Sequence, residues 1–227
     1  QQGRQEIGKA GNLVKSMIAG CDEAGRGPLI GPLIVSCVGT SRERLEEMIE
    51  LGVTDSKQLT PGRREELFPQ ILRLSDAYGF SVIPPPVLDR YNLNTLTYEA
   101  IENIIANLVK VKPVEEVYID KVGNSDPLKV YLTYWLGIKK VVIEEKADAK
   151  YVIVGAASIV AKVIRDTVIR ELSRKWGDFG SGYPSDERTR DWIREFYSAH
   201  GYLPNIVRKT WKSLKDLAPD EYIKKAD

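Results

Sequence analysis

Few residues in this sequence could serve as soft metal ligands. It contains one histidine, His200, and two cysteines, Cys21 and Cys37, which lack CxxC spacing. This scarcity excludes a zinc site built from a cysteine and histidine cluster, and it excludes a framework of several disulfides. Two such cysteines predict reduced thiols in an intracellular, cytoplasmic protein. No GxSxG or P-loop sequence occurs either, which removes the commonest hydrolase and NTPase classes.

The sequence also lacks an excess of either charge and any long apolar run. Its 33 basic and 32 acidic side chains sum to +1, and no apolar stretch approaches the roughly 20 residues of a membrane span. A net charge near zero would argue against a polyanionic partner. However, residues 139–175 hold nine basic and five acidic side chains, and residues 205–215 hold four basic ones and no acid. The net charge of +1 therefore results from basic and acidic segments that cancel, and it does not exclude a polyanionic partner.

Apolar periodicity predicts an α/β protein with one main domain. The 227 residues, 43% of them apolar, suffice for a core, and we find no internal repeat. Short apolar runs predict strands at 17–21, 33–38, 80–83, 117–119 and 141–143. Helical spacing and capping residues predict helices at 42–51, 61–74, 97–109, 126–136, 156–176, 185–200 and 207–217. Residues 1–13 are interpreted as a disordered leader or a cloning remnant.

Carboxylates follow several of the predicted strands. Asp22 and Glu23 come directly after the first, Asp120 ends a later one, and Asp148 lies just past another. In open α/β sheets, ligands gather at the carboxyl ends of the strands. Carboxylates without a histidine or cysteine cluster favour Mg²⁺ or Mn²⁺, and two such ions suit in-line phosphoryl displacement. Acidic residues at strand ends also serve as helix caps or solvated turn residues, and that alternative stays open.

Three loops could contact a phosphate or a sugar. Gly25, Arg26 and Gly27 form a turn in which backbone amides and a guanidinium could approach an anion. Lys57 lies in a loop before a helix, and Tyr183 lies in the glycine-rich loop 180–186. Such a tyrosine can stack on a sugar or a base. Taken singly, each feature has an equally ordinary interpretation. The glycine–arginine–glycine segment is typical of a tight turn, Lys57 of a solvated lysine, and Tyr183 of a locally packed tyrosine.

Taken in order, these motifs resemble those of ribonuclease HII, the type 2 ribonuclease H family, and they are most similar to its archaeal members. The resemblance runs from about residue 14 to 217. It is carried by residues 21–28 (CDEAGRGP), 55–57 (DSK), 118–120 (YID), 146–148 (KAD), 156–162 (AASIVAK), 180–186 (GSGYPSD) and 205–211 (NIVRKTW).

The resemblance implies a fold and an activity. The fold would be a ribonuclease H-like mixed central sheet flanked by helices, with a small helical appendage at the C-terminus. Residues 14–175 would form the catalytic domain and residues 176–227 a helical substrate-binding region. The activity would be endonucleolytic cleavage of the RNA strand of RNA–DNA hybrids, and cleavage at ribonucleotides embedded in duplex DNA. The products would carry 5′-phosphate and 3′-hydroxyl ends.

The resemblance also implies site residues. Asp22, Glu23, Asp120 and Asp148 match the four catalytic carboxylates, which would hold two divalent cations, Mg²⁺ or Mn²⁺. The implied substrate contacts are Gly25, Arg26, Gly27, Lys57, Asn94, Ser158, Lys162, Tyr183 and Arg208. The glycine–arginine–glycine turn would contact the ribose 2′-hydroxyl, which distinguishes RNA from DNA. Tyr183 would stack where ribonucleotide gives way to deoxyribonucleotide.

Two other functions, and the question of partners, stay open. A different carboxylate–metal nuclease, such as a junction resolvase, would cut all-DNA junctions. A hybrid-binding module without catalysis would use the carboxylates only as turn residues. The chain ends in DEYIKKAD and lacks the glutamine-led, aromatic sliding-clamp peptide of some archaeal members, so a clamp partner is not expected unless the chain is truncated. A monomer without membrane association is expected.

Overall fold

A five-stranded mixed sheet forms the centre of the computed structural model, which describes residues 15–226. Its strands are β1 (Met17–Ala24), β2 (Leu33–Thr40), β3 (Ala77–Ile83), β4 (Val114–Asp120) and β5 (Lys140–Glu144), in the order β3-β2-β1-β4-β5. β2 is antiparallel to both β1 and β3, whereas β4 is parallel to both β1 and β5. The predicted α/β class and mixed sheet are confirmed. The predicted leader, residues 1–13, lies outside the described residues.

Helices cover both faces of this sheet. They are α1 (Arg42–Glu50), α2 (Pro61–Leu74), α3 (Pro85–Leu88), α4 (Leu93–Val111), α5 (Asp126–Val130), α6 (Ala147–Lys150), α7 (Val152–Trp176), α8 (Glu187–His200) and α9 (Leu214–Leu217). A 3₁₀ turn spans Ser56–Gln58, and a π-helical turn, Tyr131–Trp135, continues α5. None of the helices in the described part of the chain is long and apolar enough to cross a bilayer.

The alternation of side chains along β1 divides the core into two layers. Met17, Ala19 and Cys21 pack in one apolar cluster with residues of α4, whereas Ile18 packs in the other with residues of α2 and α7. Such alternation follows from the two-residue period of a strand. Gly20 allows α7 to cross β1 closely, because a Cβ there would collide with the backbone of Ile153. As a result, α7 lies directly against the strand that carries the first two carboxylates.

The C-terminal region departs from one prediction. The helix predicted over residues 207–217 is wrong, since only Leu214–Leu217 is helical. Val207 instead forms an isolated β-bridge with Ile30, and the Arg208 amide donates to the Leu29 carbonyl at 2.8 Å. These long-range hydrogen bonds override the local periodicity. A third apolar cluster, which includes Leu29 and residues of α8 and α9, joins this region to the sheet domain.

The cysteines also depart from prediction. The expectation of reduced thiols is wrong, because Cys21 and Cys37 form a disulfide in this structure. The antiparallel register of β1 and β2 places the two residues directly opposite each other, with their Cα atoms 4.2 Å apart. Neither residue is exposed. Spacing along the chain does not reveal such a pair, because it depends on the strand register.

Reduction of this disulfide should destabilise the protein. Cross-linking residues 16 apart restricts the unfolded chain by about 3 kcal/mol. For a chain of this size, that corresponds to a fall of roughly 6–12 °C in Tm. Thermal unfolding with and without a strong reductant measures the difference, and a Cys21→Ala/Cys37→Ala protein, which should not respond to reductant, is the control. Two free thiols per chain in protein denatured without reductant would contradict the pairing.

Candidate active site

The parallel pairing of β1 and β4 brings three carboxylates together. Cys21 is in register with Ile119, so the next residues along, Asp22 and Asp120, lie side by side at the carboxyl ends of the two strands. Asp22, Glu23 and Asp120 each offer an oxygen atom, and these atoms all lie within 4.8 Å of one another. This juxtaposition is the one expected from strand ends that meet at one edge of the sheet.

Asp148 reaches the same cleft from the connection between β5 and α7. It lies in the short helix α6, after Lys146, whose backbone is left-handed (φ 55°). The Ala147 amide donates to Asp120 Oδ1 at 2.9 Å, which ties this connection to the end of β4. Asp148 is 6% exposed, and its Oδ2 lies 3.3 Å from Lys57 Nζ. A lysine therefore stands beside the fourth carboxylate.

The three clustered carboxylates are costly to ionise together. Burial raises the pKa of Asp22 well above its ordinary value, and the charges of Glu23 and Asp120 raise it further. Burial also raises the pKa of Glu23 to about 7, although the charge of Arg26 partly offsets this, and burial raises the pKa of Asp120. Glu23 Oε2 is buried without a hydrogen-bond partner. Divalent cations fit this group, because they would neutralise the repulsion and satisfy the orphaned oxygen.

The turn after β1 forms the adjoining wall. Gly25 has φ +96°, a conformation that favours glycine. Arg26 Nη2 donates to Asn94 Oδ1 at 2.6 Å, which places Asn94 next to the arginine. A Cβ on Gly27 would lie 3.4 Å from the ring of Tyr183, so the loop 180–186 stands against this turn. The structure therefore joins two loops that are more than 150 residues apart in the sequence.

Residues from α7 and from the loop before α2 complete the cleft. The hydroxyls of Ser158 and Ser56 are hydrogen-bonded at 2.6 Å. One helical turn after Ser158, Lys162 lies 3.5 Å from Asp166. These contacts fix the loop that carries Lys57 against α7. The Lys57 side chain itself is 76% exposed and is available to an incoming anion.

The resulting cleft has a volume of about 310 Å³ and contains nearly all of the predicted site residues. Those that line it are Asp22, Glu23, Gly25, Arg26, Gly27, Lys57, Asp120, Asp148, Ser158, Lys162 and Tyr183. Asn94 lies just outside and contacts Arg26. Arg208 is different, since its side chain is fully buried beneath the turn and bound to backbone carbonyls.

Three further residues, Ala24, Ser56 and Arg64, line the cleft without having been predicted as contacts. Ser56 does so beside Lys57, and Arg64 does so from the first turn of α2. Arg64 donates to the carbonyls of Ser56 and Leu59 at 3.1 and 2.9 Å, so it supports the Lys57 loop from below. The sequence gives no signal for Arg64, which lies in an ordinary charged stretch of an amphipathic helix.

Comparison with known proteins identifies the family of this chain. A profile of the family described as Ribonuclease HII matches residues 19–214. The chain belongs to this family. It is 47% identical to the ribonuclease HII of Saccharolobus solfataricus, an alignment that covers 92% of this chain and 97% of that protein. It is 45% identical to the ribonuclease HII of Sulfurisphaera tokodaii, with 92% and 99% covered. The resemblance to archaeal members is thus confirmed, and the chain is a ribonuclease H, a hydrolase that acts on RNA–DNA hybrids.

Solved structures agree with this family and with its fold. Ribonuclease H2 from Pyrococcus horikoshii has a TM-score of 0.78 at 41% identity, and the match covers 90% of this chain and 98% of that one. A structure of the PCNA:RNase HII complex from Archaeoglobus fulgidus also has a TM-score of 0.78 at 41% identity, with 89% and 97% covered. The ribonuclease H-like fold expected for this family is confirmed.

Proposed function

We propose that the chain cleaves the RNA strand of hybrids, and duplex DNA at embedded ribonucleotides, with two divalent cations, Mg²⁺ or Mn²⁺, held by Asp22, Glu23, Asp120 and Asp148. The products would carry 5′-phosphate and 3′-hydroxyl ends. The observation that supports this most strongly is the convergence of mutually repelling carboxylates, one with an orphaned buried oxygen, in the cleft that also contains the glycine–arginine–glycine turn.

The cations and the carboxylates that hold them would have different roles. When bound, the two cations would activate the attacking water and stabilise the leaving 3′-oxygen of an in-line displacement. Asp22 and Asp120 are anchored for this purpose, since the backbone amides of Glu23 and Ala147 donate to them at 2.8 and 2.9 Å. Without cations, the carboxylates repel the scissile phosphate, so cleavage requires metal.

The wall that adjoins the carboxylates suits a ribose. Gly25, Arg26 and Gly27 line the cleft, and their backbone amides have no backbone acceptor within the described residues, so these donors are available to a ligand. Arg26 is oriented by Asn94, which leaves its charge at the edge of the cleft. We assign the 2′-hydroxyl to this turn, because that group both donates and accepts hydrogen bonds and is absent from DNA.

The remaining residues surround the reacting phosphate and its neighbours. Tyr183 stands beside Gly27 and would stack at the junction between ribonucleotide and deoxyribonucleotide. Lys57 would contact the phosphate there, since its ammonium group is exposed and lies next to Asp148. Ser158 and Lys162 would contact the backbone from α7. A nucleic-acid substrate agrees with the predicted cytoplasmic location, and action as a monomer remains a prediction.

Matched substrates separate this function from the alternatives. In Mg²⁺ or Mn²⁺, we expect cleavage of a labelled RNA–DNA hybrid and of a duplex with one ribonucleotide, and none in EDTA. An all-DNA four-way junction and an all-DNA duplex should stay intact, because they lack the 2′-hydroxyl. Cutting of the junction would indicate a resolvase. Binding of the hybrid without a metal-dependent product would indicate a binding module. Either result would overturn the proposal.

A further inference from the structure

Two buried arginines lie beneath the turn to which we assign ribose recognition. We propose that Arg165 and Arg208 are positioning residues for this turn, and that they hold its backbone in the shape that distinguishes a ribonucleotide from a deoxyribonucleotide. This inference rests on the proposed function of residues 25–27. It goes beyond that function because neither arginine lines the cleft.

Arg208 binds three carbonyl groups of the turn and its continuation. Its Nη2 donates to Gly25 at 2.6 Å, its Nη1 to Arg26 at 3.1 Å, and its Nε to Gly31 at 2.9 Å. The side chain is fully buried, and its guanidinium lies over the ring of Trp211, 4.7 Å from the centroid. Arg208 therefore has no exposed donor for the nucleic-acid contact that the sequence suggested, and its hydrogen bonds are made to the turn itself.

Arg165 binds the next part of the same segment. Its Nη1 donates to the Pro32 carbonyl at 2.8 Å and its Nη2 to the Ile30 carbonyl at 3.0 Å. It is 1% exposed. A Cβ on Gly25 would lie 2.7 Å from Arg165 Cδ, so the turn rests directly on this side chain. Together, the two guanidinium groups bind five carbonyls between residues 25 and 32.

Burying the two guanidinium charges costs free energy, and filling the space beneath the turn does not require charged side chains. Within residues 15–226, neither guanidinium has a carboxylate within the 4.0 Å of an ion pair. Burial lowers the pKa of Arg165 to about 10, and burial together with the charge of Arg165 lowers that of Arg208 to about 9. Apolar side chains could fill the same space without this penalty. The hydrogen bonds to the turn are what the guanidinium groups add.

The direction of these bonds matters for recognition. Because the carbonyls of Gly25 and Arg26 point inward to Arg208, the amides of the turn are left for a ligand. The same segment also holds the tyrosine loop, since the Leu29 amide donates to the Gly182 carbonyl at 2.7 Å. A shift of the turn would therefore move both the amide donors and Tyr183.

Lysine is the informative replacement at each position. It keeps the positive charge but lacks the planar fork, so one ammonium group cannot bind the two carbonyls of Arg165 or the three carbonyls of Arg208 in the same way. We expect Arg208→Lys, and Arg165→Lys to a similar extent, to fold but to loosen the turn. Leu214→Ala is the matched control, because Leu214 belongs to the apolar cluster that contains Leu29 but offers the turn no hydrogen bond.

The experiment measures ribose discrimination by binding. The full-length protein is made inactive by Asp120→Asn. Its Kd is measured in Mg²⁺ for a DNA duplex with one ribonucleotide and for an all-DNA duplex of the same sequence. We expect the lysine variants to reduce the ratio of the two Kd values by roughly tenfold, the effect of losing one or two hydrogen bonds. Affinity for the all-DNA duplex should be unchanged, and Leu214→Ala should lower Tm without changing the ratio.

Each other outcome has a defined meaning. If the parent protein does not prefer the ribonucleotide, the proposed function fails, whatever the arginines do. If the parent discriminates and the lysine variants discriminate equally well, the positioning role is wrong. An equal loss of discrimination in Leu214→Ala, or failure of both lysine variants to fold as judged by circular dichroism, would assign the arginines to general stability and overturn the inference.

Discussion

Asp120→Asn is expected to reduce cleavage of an RNA–DNA hybrid by about 10³-fold or more, because removal of one electrostatic contribution to phosphoryl transfer has effects of this size. Asparagine keeps the shape of the side chain and an oxygen that can accept the Ala147 amide, so the fold should survive. The loss would then come from the charge that holds the cations. Single-turnover rates in Mg²⁺, with saturating enzyme, measure the chemical step.

An exposed carboxylate provides the control for this substitution. Asp191 lies on the surface of α8, where it forms an exposed ion pair with Arg194. Asp191→Asn makes the same chemical change far from the carboxylate cluster and should leave the rate within about twofold. Adding Asp22→Asn to Asp120→Asn should not restore cleavage. Cleavage by the double variant at the parental rate would mean that the cluster is not the catalytic centre.

Glu23→Gln should abolish cleavage and yet stabilise the metal-free protein at neutral pH. Burial raises the pKa of Glu23 to about 7 in the folded protein, against 4.5 for the free group, so the folded state binds this proton more tightly than the unfolded state does. The resulting stability is complete below pH 4.5 and is lost as the pH rises to about 7. Glutamine stays neutral throughout and removes this pH dependence.

The expected gain follows from the size of that shift. A pKa difference of this size costs about 3 kcal/mol, which corresponds to an increase of several degrees in the Tm of metal-free protein at pH 7.5. Glu195→Gln, a change on the exposed face of α8, is the control and should have little effect. Adding Mg²⁺ should raise the Tm of the parent more than that of Glu23→Gln. A metal-free Glu23→Gln protein less stable than its parent would contradict this view of the cluster.

The parts of the site that follow strand ends could be predicted from the sequence. Asp22, Glu23 and Asp120 each end an apolar run, and the parallel pairing of β1 and β4 is sufficient to bring them together. Asp148 is harder, because it lies in a short helix after a left-handed residue, and its position a few residues past a predicted strand does not show that it reaches the other three carboxylates. The helix α2 spans residues 61–74 as predicted, with Thr60 as its N-cap, since capping is a local property.

The remaining features depend on contacts between distant segments. The Cys21–Cys37 disulfide requires the register of two strands. The segment around Arg208 has a helical pattern, but its backbone pairs with Leu29 and Ile30, about 180 residues earlier in the chain. Arg165 lies on a predicted helix, yet no periodicity shows that its guanidinium reaches the carbonyls of Ile30 and Pro32. Such roles appear only when the fold places the groups together.

Cleavage of a DNA duplex that carries one ribonucleotide tests the central claim most directly. The labelled strand is incubated with the enzyme in Mg²⁺ or Mn²⁺, and the position and the chemistry of the new ends are mapped. We predict a single metal-dependent cut at the ribonucleotide, with 5′-phosphate and 3′-hydroxyl ends, and no cut in the all-DNA duplex. Equal cutting of the all-DNA duplex, or products in EDTA, would contradict the assignment of the carboxylates to the metals and of the turn to the ribose.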